Sequence, residues 1–176
     1  MTRIISVDSI TNINFSLLDA EGVSHVLTDI ESTVAPYGVA EVDPSIKKYL
    51  DNQRELGHIA TLSLMTNKTD EAFVSSIAEQ LNADHYFIPR TRAERKPKPA
   101  MIYRAMEQLS ANTNQLAVVG DKFTADMAAA KAAGAAYGYY VRRLGSTDHP
   151  GDRWIRRPYE RLRRYRQLSN NRLLTS

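Results

Sequence analysis

The sequence predicts an α/β fold, a Rossmann-like three-layer α/β/α arrangement around a mostly parallel central sheet of about five strands. Short apolar runs rich in β-branched residues alternate with segments whose apolar residues recur at helical spacing, which indicates alternating strands and helices. Polar side chains directly follow several of these runs, as they do where parallel strands end at a ligand site. With 176 residues, 43% of them hydrophobic, the chain is long enough to form one such domain.

The N-terminal third of the chain contains the first predicted strand and helix. Residues 1–22 form a lead-in that is expected to pack on the sheet, and residues 23–30 form the first strand. Asp43 and Pro44 are typical of a helix N-cap and first helical position, so a helix should begin there and stop at Gly57.

The rest of the chain repeats this alternation. The other four strands are predicted at residues 59–65, 85–88, 115–119 and 137–141, with helices between them. Thr69 is expected to cap the helix after the second strand. A later helix should run from Phe123 to Ala133 and end at Gly134, because glycine readily adopts the left-handed conformation of a C-cap.

The composition limits the kinds of site that the chain can contain. No cysteine is present, which excludes disulfides and thiolate metal sites but leaves sites for hard cations open. The first twenty residues mix polar residues into every apolar run, so we expect neither a signal peptide nor a membrane span, and we expect a cytoplasmic protein.

Polar side chains follow four of the predicted strands, so they could meet at one edge of the sheet. They are Asp29 and Glu31 after the first strand, Thr66 and Asn67 after the second, Lys96 beyond the third, and Asp121 with Asp126 after the fourth. Each has an ordinary explanation as a turn, cap or solvated charge. Together they provide carboxylates for a hard cation, a hydroxyl and a lysine for phosphate oxygens, and an aspartate nucleophile, which is the set that phosphoryl transfer requires.

The sequence here resembles the haloacid dehalogenase-like (HAD) phosphohydrolases. The resemblance rests on DIEST at 29–33, a strand ending in Thr66, KPKP at 96–99 and GDKFTAD at 120–126, and it covers about residues 23–141. Within the superfamily, the lead-in, the short gaps between motifs and RPYER at 157–161 resemble subfamily IIIA, the YqeG-like branch, which is similar to phosphatidylglycerophosphate phosphatases. The gaps are too short for a cap domain, so a capless core with an open site is expected.

The resemblance implies a role for each of these residues. Asp29 would attack phosphorus and form an aspartyl-phosphate, and Glu31 would be the general acid and base. Thr66, Asn67 and Lys96 would bind the phosphate. Mg²⁺ would be held by Asp29, Asp121 and the backbone carbonyl of Glu31, with Asp126 and Thr33 supporting these groups.

One position departs from the family pattern. The second acidic residue of the first motif is usually aspartate, and here it is Glu31, whose side chain is one methylene longer. A displacement of about 1 Å can cost on the order of a hundredfold in rate, so the substitution bears directly on catalysis.

The C-terminal 26 residues have a different character from the rest. We divide the chain into a core at 1–150 and a basic tail at 151–176, which is expected to be helical and to pack on or beside the core. The tail contains eight arginines and two acidic residues, a net charge of +6, which leaves −3 for the other 150 residues. A basic segment of this kind suggests an anionic partner.

Two functions follow from these observations. The first is a Mg²⁺-dependent phosphomonoester hydrolase acting on a phosphorylated small molecule or a phosphatidylglycerophosphate-like lipid headgroup, with the tail at residues 151–176 in peripheral contact with an anionic membrane. The alternative is a catalytically weakened HAD-fold protein that binds RNA or another anionic partner through the tail. The sequence leaves the oligomeric state open.

Overall fold

A computed structural model describes residues 1–145, which form a six-stranded, fully parallel sheet with the strand order β1-β6-β5-β2-β3-β4. The strands are β1 (Arg3–Val7), β2 (His25–Thr28), β3 (Thr61–Met65), β4 (His85–Phe87), β5 (Leu116–Gly120) and β6 (Tyr137–Val141). The helices are α1 (Phe15–Ala20), α2 (Pro44–Glu55), α3 (Glu71–Gln80), α4 (Ala100–Leu109) and α5 (Ala128–Ala133).

The helices cover both faces of the sheet and give the predicted three layers. Apolar residues of α1, α2 and α3 form one core with the strand residues that face them, and residues of α4 and α5 form the second core on the opposite face. Successive residues of β2 point to opposite faces: Val26 lies in the first core and Leu27 in the second. A sheet buried on both faces accounts for the continuous apolar runs in the sequence.

The predicted fold class is confirmed, but residues 1–145 form a sheet of six strands rather than about five. The additional strand is β1, which lies within the segment that the sequence indicated only as a lead-in. It pairs with β6 at one edge of the sheet, and only one of its five residues is buried. Its run of Ile4, Ile5 and Val7 suits a strand, but Arg3 and Ser6 interrupt the pattern and most of its side chains are only partly buried.

Most predicted helix ends agree with the structure. The Asp43 side chain accepts hydrogen bonds from the backbone N–H groups of Ser45 and Ile46 at 2.9 and 3.2 Å, which caps α2. The cap predicted at Thr69 is wrong, because Asp70 caps α3 by accepting a hydrogen bond from Phe73 N. An aspartate one position later has the same ability to accept that bond, so residue type alone does not distinguish the two sites.

The order of the strands places one position of the sheet at a topological switch point. From β2 the chain proceeds outward through β3 and β4, then returns to the other side of β2 with β5 and β6. Ligands of open α/β sheets bind where the strand order reverses in this way, beyond the carboxyl ends of the strands. Asp29 follows β2 and Asp121 follows β5, so both residues lie at this point.

The segments between the strands contain no separate cap domain within residues 1–145. The segment from residue 34 to residue 65 contains α2 and β3, and the segment from 67 to 95 contains α3, β4 and one 3₁₀ turn. No helix in this part of the chain has both the length and the apolar character that a bilayer span requires.

Candidate active site

A buried lysine lies between two buried aspartates at the carboxyl edge of the sheet. Lys96 Nζ lies 2.5 Å from Oδ1 of Asp29 and 2.6 Å from Oδ1 of Asp126, and it donates to the Met65 carbonyl at 3.0 Å. The side chain of Lys96 is 3% exposed, so these charges interact with little screening by water. The three groups therefore form a preformed site of opposed charges beside the end of β2.

The backbone of Lys96 is fixed by Asn67. The Asn67 side chain donates to Lys96 O at 3.0 Å and accepts from Lys96 N at 2.8 Å, so both ends of the amide contact the same residue. Thr66 is buried, and its hydroxyl oxygen accepts a hydrogen bond from Lys68 N at 3.1 Å. Asn67 thereby joins the loop after β3 to the loop that contains Lys96.

The loop after β5 contributes two aspartates. The backbone N–H of Lys122 donates to Oδ2 of Asp126 at 2.9 Å, and residues Phe123–Met127 form a π-helical turn before α5 begins. The sequence predicted one regular helix from Phe123. The wider turn belongs to the segment that directs Asp126 back towards Lys96, and such turns are often found at functional sites.

Gly120, the last residue of β5, leaves room for the Asp126 side chain to pack against the strand end. A Cβ atom at Gly120 would be 2.5 Å from Cβ of Asp126, a distance that atoms do not tolerate. Glycine at this position is therefore a requirement of packing rather than of a special backbone angle.

Arg143 holds one oxygen of the Asp121 carboxylate. Its Nε donates to Oδ2 at 2.6 Å, whereas Oδ1 is buried and has no hydrogen-bond partner among the residues that the structure describes. A buried carboxylate oxygen without a donor is costly, unless a cation occupies the space it faces.

Burial and mutual repulsion shift the titration of these aspartates. Burial raises the pKa of Asp29 to about 6, although the nearby Lys96 opposes this increase. Burial, reinforced by Asp126 and Asp29, raises the pKa of Asp121 to about 7 against the opposing effect of Arg143. For Lys96, burial alone would lower the pKa, but the two carboxylates outweigh it and raise the pKa.

The buried carboxylates form a site that suits a hard divalent cation. Asp29, Asp121 and Asp126 each offer an oxygen, and these oxygens lie within 4.8 Å of one another. Carboxylate oxygens are the donors that Mg²⁺ prefers, and the unpartnered Oδ1 of Asp121 is available to bind an ion. The residues present therefore fit the metal that the sequence predicted.

Glu31 lies in a tight turn directly after Asp29. The carbonyl of Ile30 accepts hydrogen bonds from the backbone N–H groups of residues 33, 34 and 35, and Ser32 has a left-handed φ of +64°. Oε1 of Glu31 accepts from Gly38 N at 3.2 Å and from Lys68 Nζ at 3.3 Å. Lys68 in turn lies 4.1 Å from the centre of the Phe73 ring, so the cation that contacts Glu31 is itself held in place.

The structure brings most of the predicted site residues together, and it shows two that the sequence analysis missed. Asp29, Lys96, Asp121 and Asp126 form one connected cluster, and Thr33 is buried in the turn that contains Glu31. Lys68 and Arg143 were not predicted. Lys68 is the third residue after β3 and Arg143 the second after β6, so both lie close to strand ends at the same edge, although this placement alone does not single them out.

Solved structures of similar fold support the architecture. A HAD-like phosphatase from Mesorhizobium loti is 18% identical, with 73% of this chain and 77% of that chain covered at a TM-score of 0.54. A protein from Listeria monocytogenes serotype 4b is 16% identical, with 77% of this chain and 88% of that chain covered at a TM-score of 0.57. A HAD family hydrolase from Deinococcus radiodurans R1 was solved with bound phosphate and sodium. It is 14% identical, with 74% of this chain and 85% of that chain covered at a TM-score of 0.55. At these identities the likeness establishes the fold alone.

The family follows from the sequence itself. No curated protein matches the chain in sequence. The chain does match the sequence profile of the haloacid dehalogenase-like hydrolases over residues 4–134, which is more than half of its length and includes every aspartate of the buried cluster. The prediction of an enzyme in this superfamily is thus confirmed, and the protein belongs to the haloacid dehalogenase-like hydrolases.

Proposed function

We propose that the protein is a Mg²⁺-dependent phosphomonoester hydrolase that works through an aspartyl-phosphate intermediate. The observation that supports this most strongly is the contact of Asp29 with Lys96 at 2.5 Å, next to a cluster of carboxylates that fits a dication. An anionic nucleophile can approach an anionic phosphate only if positive charge offsets their repulsion. Lys96 provides that charge from the protein.

In the first step, an oxygen of Asp29 attacks phosphorus and the bond from phosphorus to the ester oxygen breaks. Glu31 donates a proton to the departing oxygen, which leaves as an alcohol. Its Oε1 atom is engaged by Gly38 and Lys68, so we assign the proton transfer to Oε2. Lys96 and the Thr66 hydroxyl contact the phosphate oxygens in this proposal.

In the second step, water attacks phosphorus of the aspartyl-phosphate and the bond between phosphorus and the Asp29 oxygen breaks. Glu31, now ionised, takes the proton from the attacking water, so the enzyme returns to its starting state and phosphate is released. Asn67 acts in both steps by fixing the backbone of Lys96.

Asp29, Asp121 and the backbone carbonyl of Glu31 would hold the Mg²⁺ ion, with Asp126 adjacent to it and Thr33 supporting the turn. When bound, the ion would stabilise negative charge on the phosphoryl oxygens.

Replacement of the nucleophile tests this function. Asp29→Asn should abolish Mg²⁺-dependent release of phosphate from p-nitrophenyl phosphate, because the amide cannot form the intermediate. Asp70→Asn, at the exposed cap of α3, is the matched control and should retain activity. If the Asp29→Asn variant hydrolyses the ester at a near-normal rate while folded, the mechanism is wrong.

We further propose that the substrate is a lipid headgroup of the phosphatidylglycerophosphate type, as the resemblance to the YqeG-like branch suggests. Support comes from the absence of a cap domain within residues 1–145 and from the charge of the loop that contains Lys96. Its other basic residues are exposed at the same edge of the sheet: Arg90, Arg92, Arg95 and Lys98. An open, basic edge suits a headgroup that stays attached to an anionic surface.

The predicted tail at 151–176 lies outside the described residues, so its helix and its role stay predictions. Co-sedimentation with phosphatidylglycerol vesicles tests the membrane role: binding should weaken with salt and disappear when residues 151–176 are deleted. Equal binding by the shortened chain, or none by the intact chain, would contradict it. Salt-sensitive RNA binding without Mg²⁺-dependent turnover would instead favour the alternative of a weakened, RNA-binding protein.

A further inference from the structure

Arg143 lies where the last strand of the sheet ends, beside the metal-binding carboxylates. It is the second residue after β6, and its Nε contacts Oδ2 of Asp121 at 2.6 Å. The Asp121 side chain is fully buried, whereas the Arg143 side chain is 24% exposed. The guanidinium thus reaches the carboxylate from the outer side of the cluster.

The two oxygens of Asp121 have different surroundings. Oδ2 is bound by Arg143, and Oδ1 is buried with no hydrogen-bond partner among residues 1–145. Asp121 also contributes an oxygen to the group in which Asp29 and Asp126 lie within 4.8 Å. The contact with Arg143 therefore fixes the rotation of the carboxylate and leaves Oδ1 for a cation.

The backbone around Arg143 is anchored on both sides. Val141, at the end of β6, is paired with β1, and Leu144 N donates to Ser32 O at 2.8 Å. Ser32 belongs to the turn that follows Asp29, so the same short segment contacts both the turn after β2 and the aspartate after β5. This anchoring keeps the backbone of Arg143 within reach of Asp121.

We infer that Arg143 is a positioning residue for the metal site and acts by orienting Asp121. This inference rests on the proposed function, because it assumes that Asp121 binds the catalytic ion. Removing Arg143 has two opposing effects: the ion loses a like-charged neighbour, and Asp121 loses the group that orients it. Partners that orient metal ligands typically change metal affinity by about 10-fold to 100-fold, and we expect this effect to exceed the loss of repulsion.

Calorimetric titration of the full chain with Mg²⁺ tests the inference. Arg143→Met should weaken binding about 10-fold or more, and Arg143→Lys, which keeps a charged donor, should restore much of the loss. Arg142→Met is the matched control. Arg142 is the residue before Arg143 and its side chain is exposed, so this variant removes the same charge and should not weaken Mg²⁺ binding. In turnover assays, excess Mg²⁺ should return kcat of Arg143→Met close to that of the wild type.

The possible outcomes separate a failure of the proposed metal site from a failure of the positioning role of Arg143. If wild type and Asp121→Asn both fail to bind Mg²⁺, the proposed metal site and the role of Arg143 are both wrong. If wild type binds, Asp121→Asn does not, and Arg143→Met binds as tightly as wild type or more tightly, the metal site stands and only the positioning role is refuted. A kcat that stays low at saturating Mg²⁺ would likewise refute it.

Discussion

Lys96 Nζ and Asp29 Oδ1 are 2.5 Å apart, in an ion pair whose lysine side chain is 3% exposed. The expected nucleophile is therefore neutralised before any substrate arrives. A buried pair of this kind gives little net stability relative to an apolar pair, but it is strongly destabilising to break from one side. The same contact thus links catalysis to the stability of the fold.

The first prediction concerns the loss of Lys96. Lys96→Met should lower the free energy of unfolding by about 3–5 kcal/mol, because Asp29 and Asp126 then stay buried without their cation. Urea denaturation at pH 7.5 in EDTA measures the change. Combining Lys96→Met with Asp126→Asn should recover part of the loss, and a double variant that is as unstable as the sum of the single variants would show that the pair is not coupled.

The second prediction concerns Glu31, whose side chain is longer than that of the usual aspartate. The longer side chain reaches Lys68 and Gly38 N, so we expect that Glu31 fits this site and that Glu31→Asp does not raise kcat. If Glu31 is instead a poor substitute, Glu31→Asp should raise kcat at least tenfold. Measuring kcat for the two proteins on the same ester decides the question.

Lys68→Met provides the companion experiment. If Lys68 orients Glu31, this variant should lower kcat when residue 31 is glutamate and should have less effect in the Glu31→Asp background, because the shorter side chain no longer reaches the lysine. Equal effects in both backgrounds would mean that the ion pair has no role in catalysis.

The third prediction is a pH dependence of stability in the metal-free protein. The pKa values of Asp29 and Asp121 are raised to about 6 and about 7, so between about pH 4 and 7 the folded state binds more protons than the unfolded state. Stability should fall as the pH rises from 5 to 8, because this range covers about one pKa unit of the titration of Asp29 and about two of that of Asp121. At about 1.4 kcal/mol per pKa unit, the loss is about 1 kcal/mol for Asp29 and about 3 kcal/mol for Asp121.

Denaturation in EDTA at several pH values measures this dependence. Asp121→Asn should show a shallower decrease, since one of the two groups is gone. Burial lowers the pKa of His25, which acts in the opposite direction, but this effect is common to both proteins. Saturating Mg²⁺ should reduce the decrease, because the ion binds the ionised carboxylates. A metal-free protein that gains stability from pH 5 to 8 would contradict the prediction.

The fourth prediction concerns the space beside Gly120. Gly120→Ala should destabilise the fold by about 1–3 kcal/mol and impair turnover, because the added methyl group would displace Asp126 from Lys96. Gly57→Ala is the control, since a Cβ there meets nothing within 4 Å and only the positive φ is strained. Equal thermal stability and activity of the Gly120→Ala variant would show that the site tolerates the shift.

The sequence was most informative where a residue type has one dominant physical role. Buried strands marked by apolar runs, and polar residues at their ends, predicted the positions of Asp29, Lys96 and Asp121 at one edge. The sequence was least informative where a neighbour decides the outcome. The contact of the Asn67 amide with the backbone of Lys96 was not predicted, because it depends on two loops 29 residues apart, and the predicted contact of Asn67 with phosphate stays a prediction.

Two further features were missed for physical reasons. β1 is a short edge strand with one buried residue among five, and although Ile4, Ile5 and Val7 suit a strand, its apolar and polar residues do not alternate. Arg143 has the same residue type as the exposed Arg142, and only the twist of the chain after β6 determines which of the two meets Asp121.

The pairing of β1 with β6 joins the two ends of the described chain, since Arg3 is opposite Tyr137. A ribosome releases the first strand long before its partner exists, and about 130 further residues must be synthesised before the pair can form. Among residues 1–145, the pairing of β1 with β6, next to the loop that contains Arg143, is therefore the last strand pairing that can form. We expect folding to slow accordingly, because contacts between distant parts of a chain require closure of a large loop.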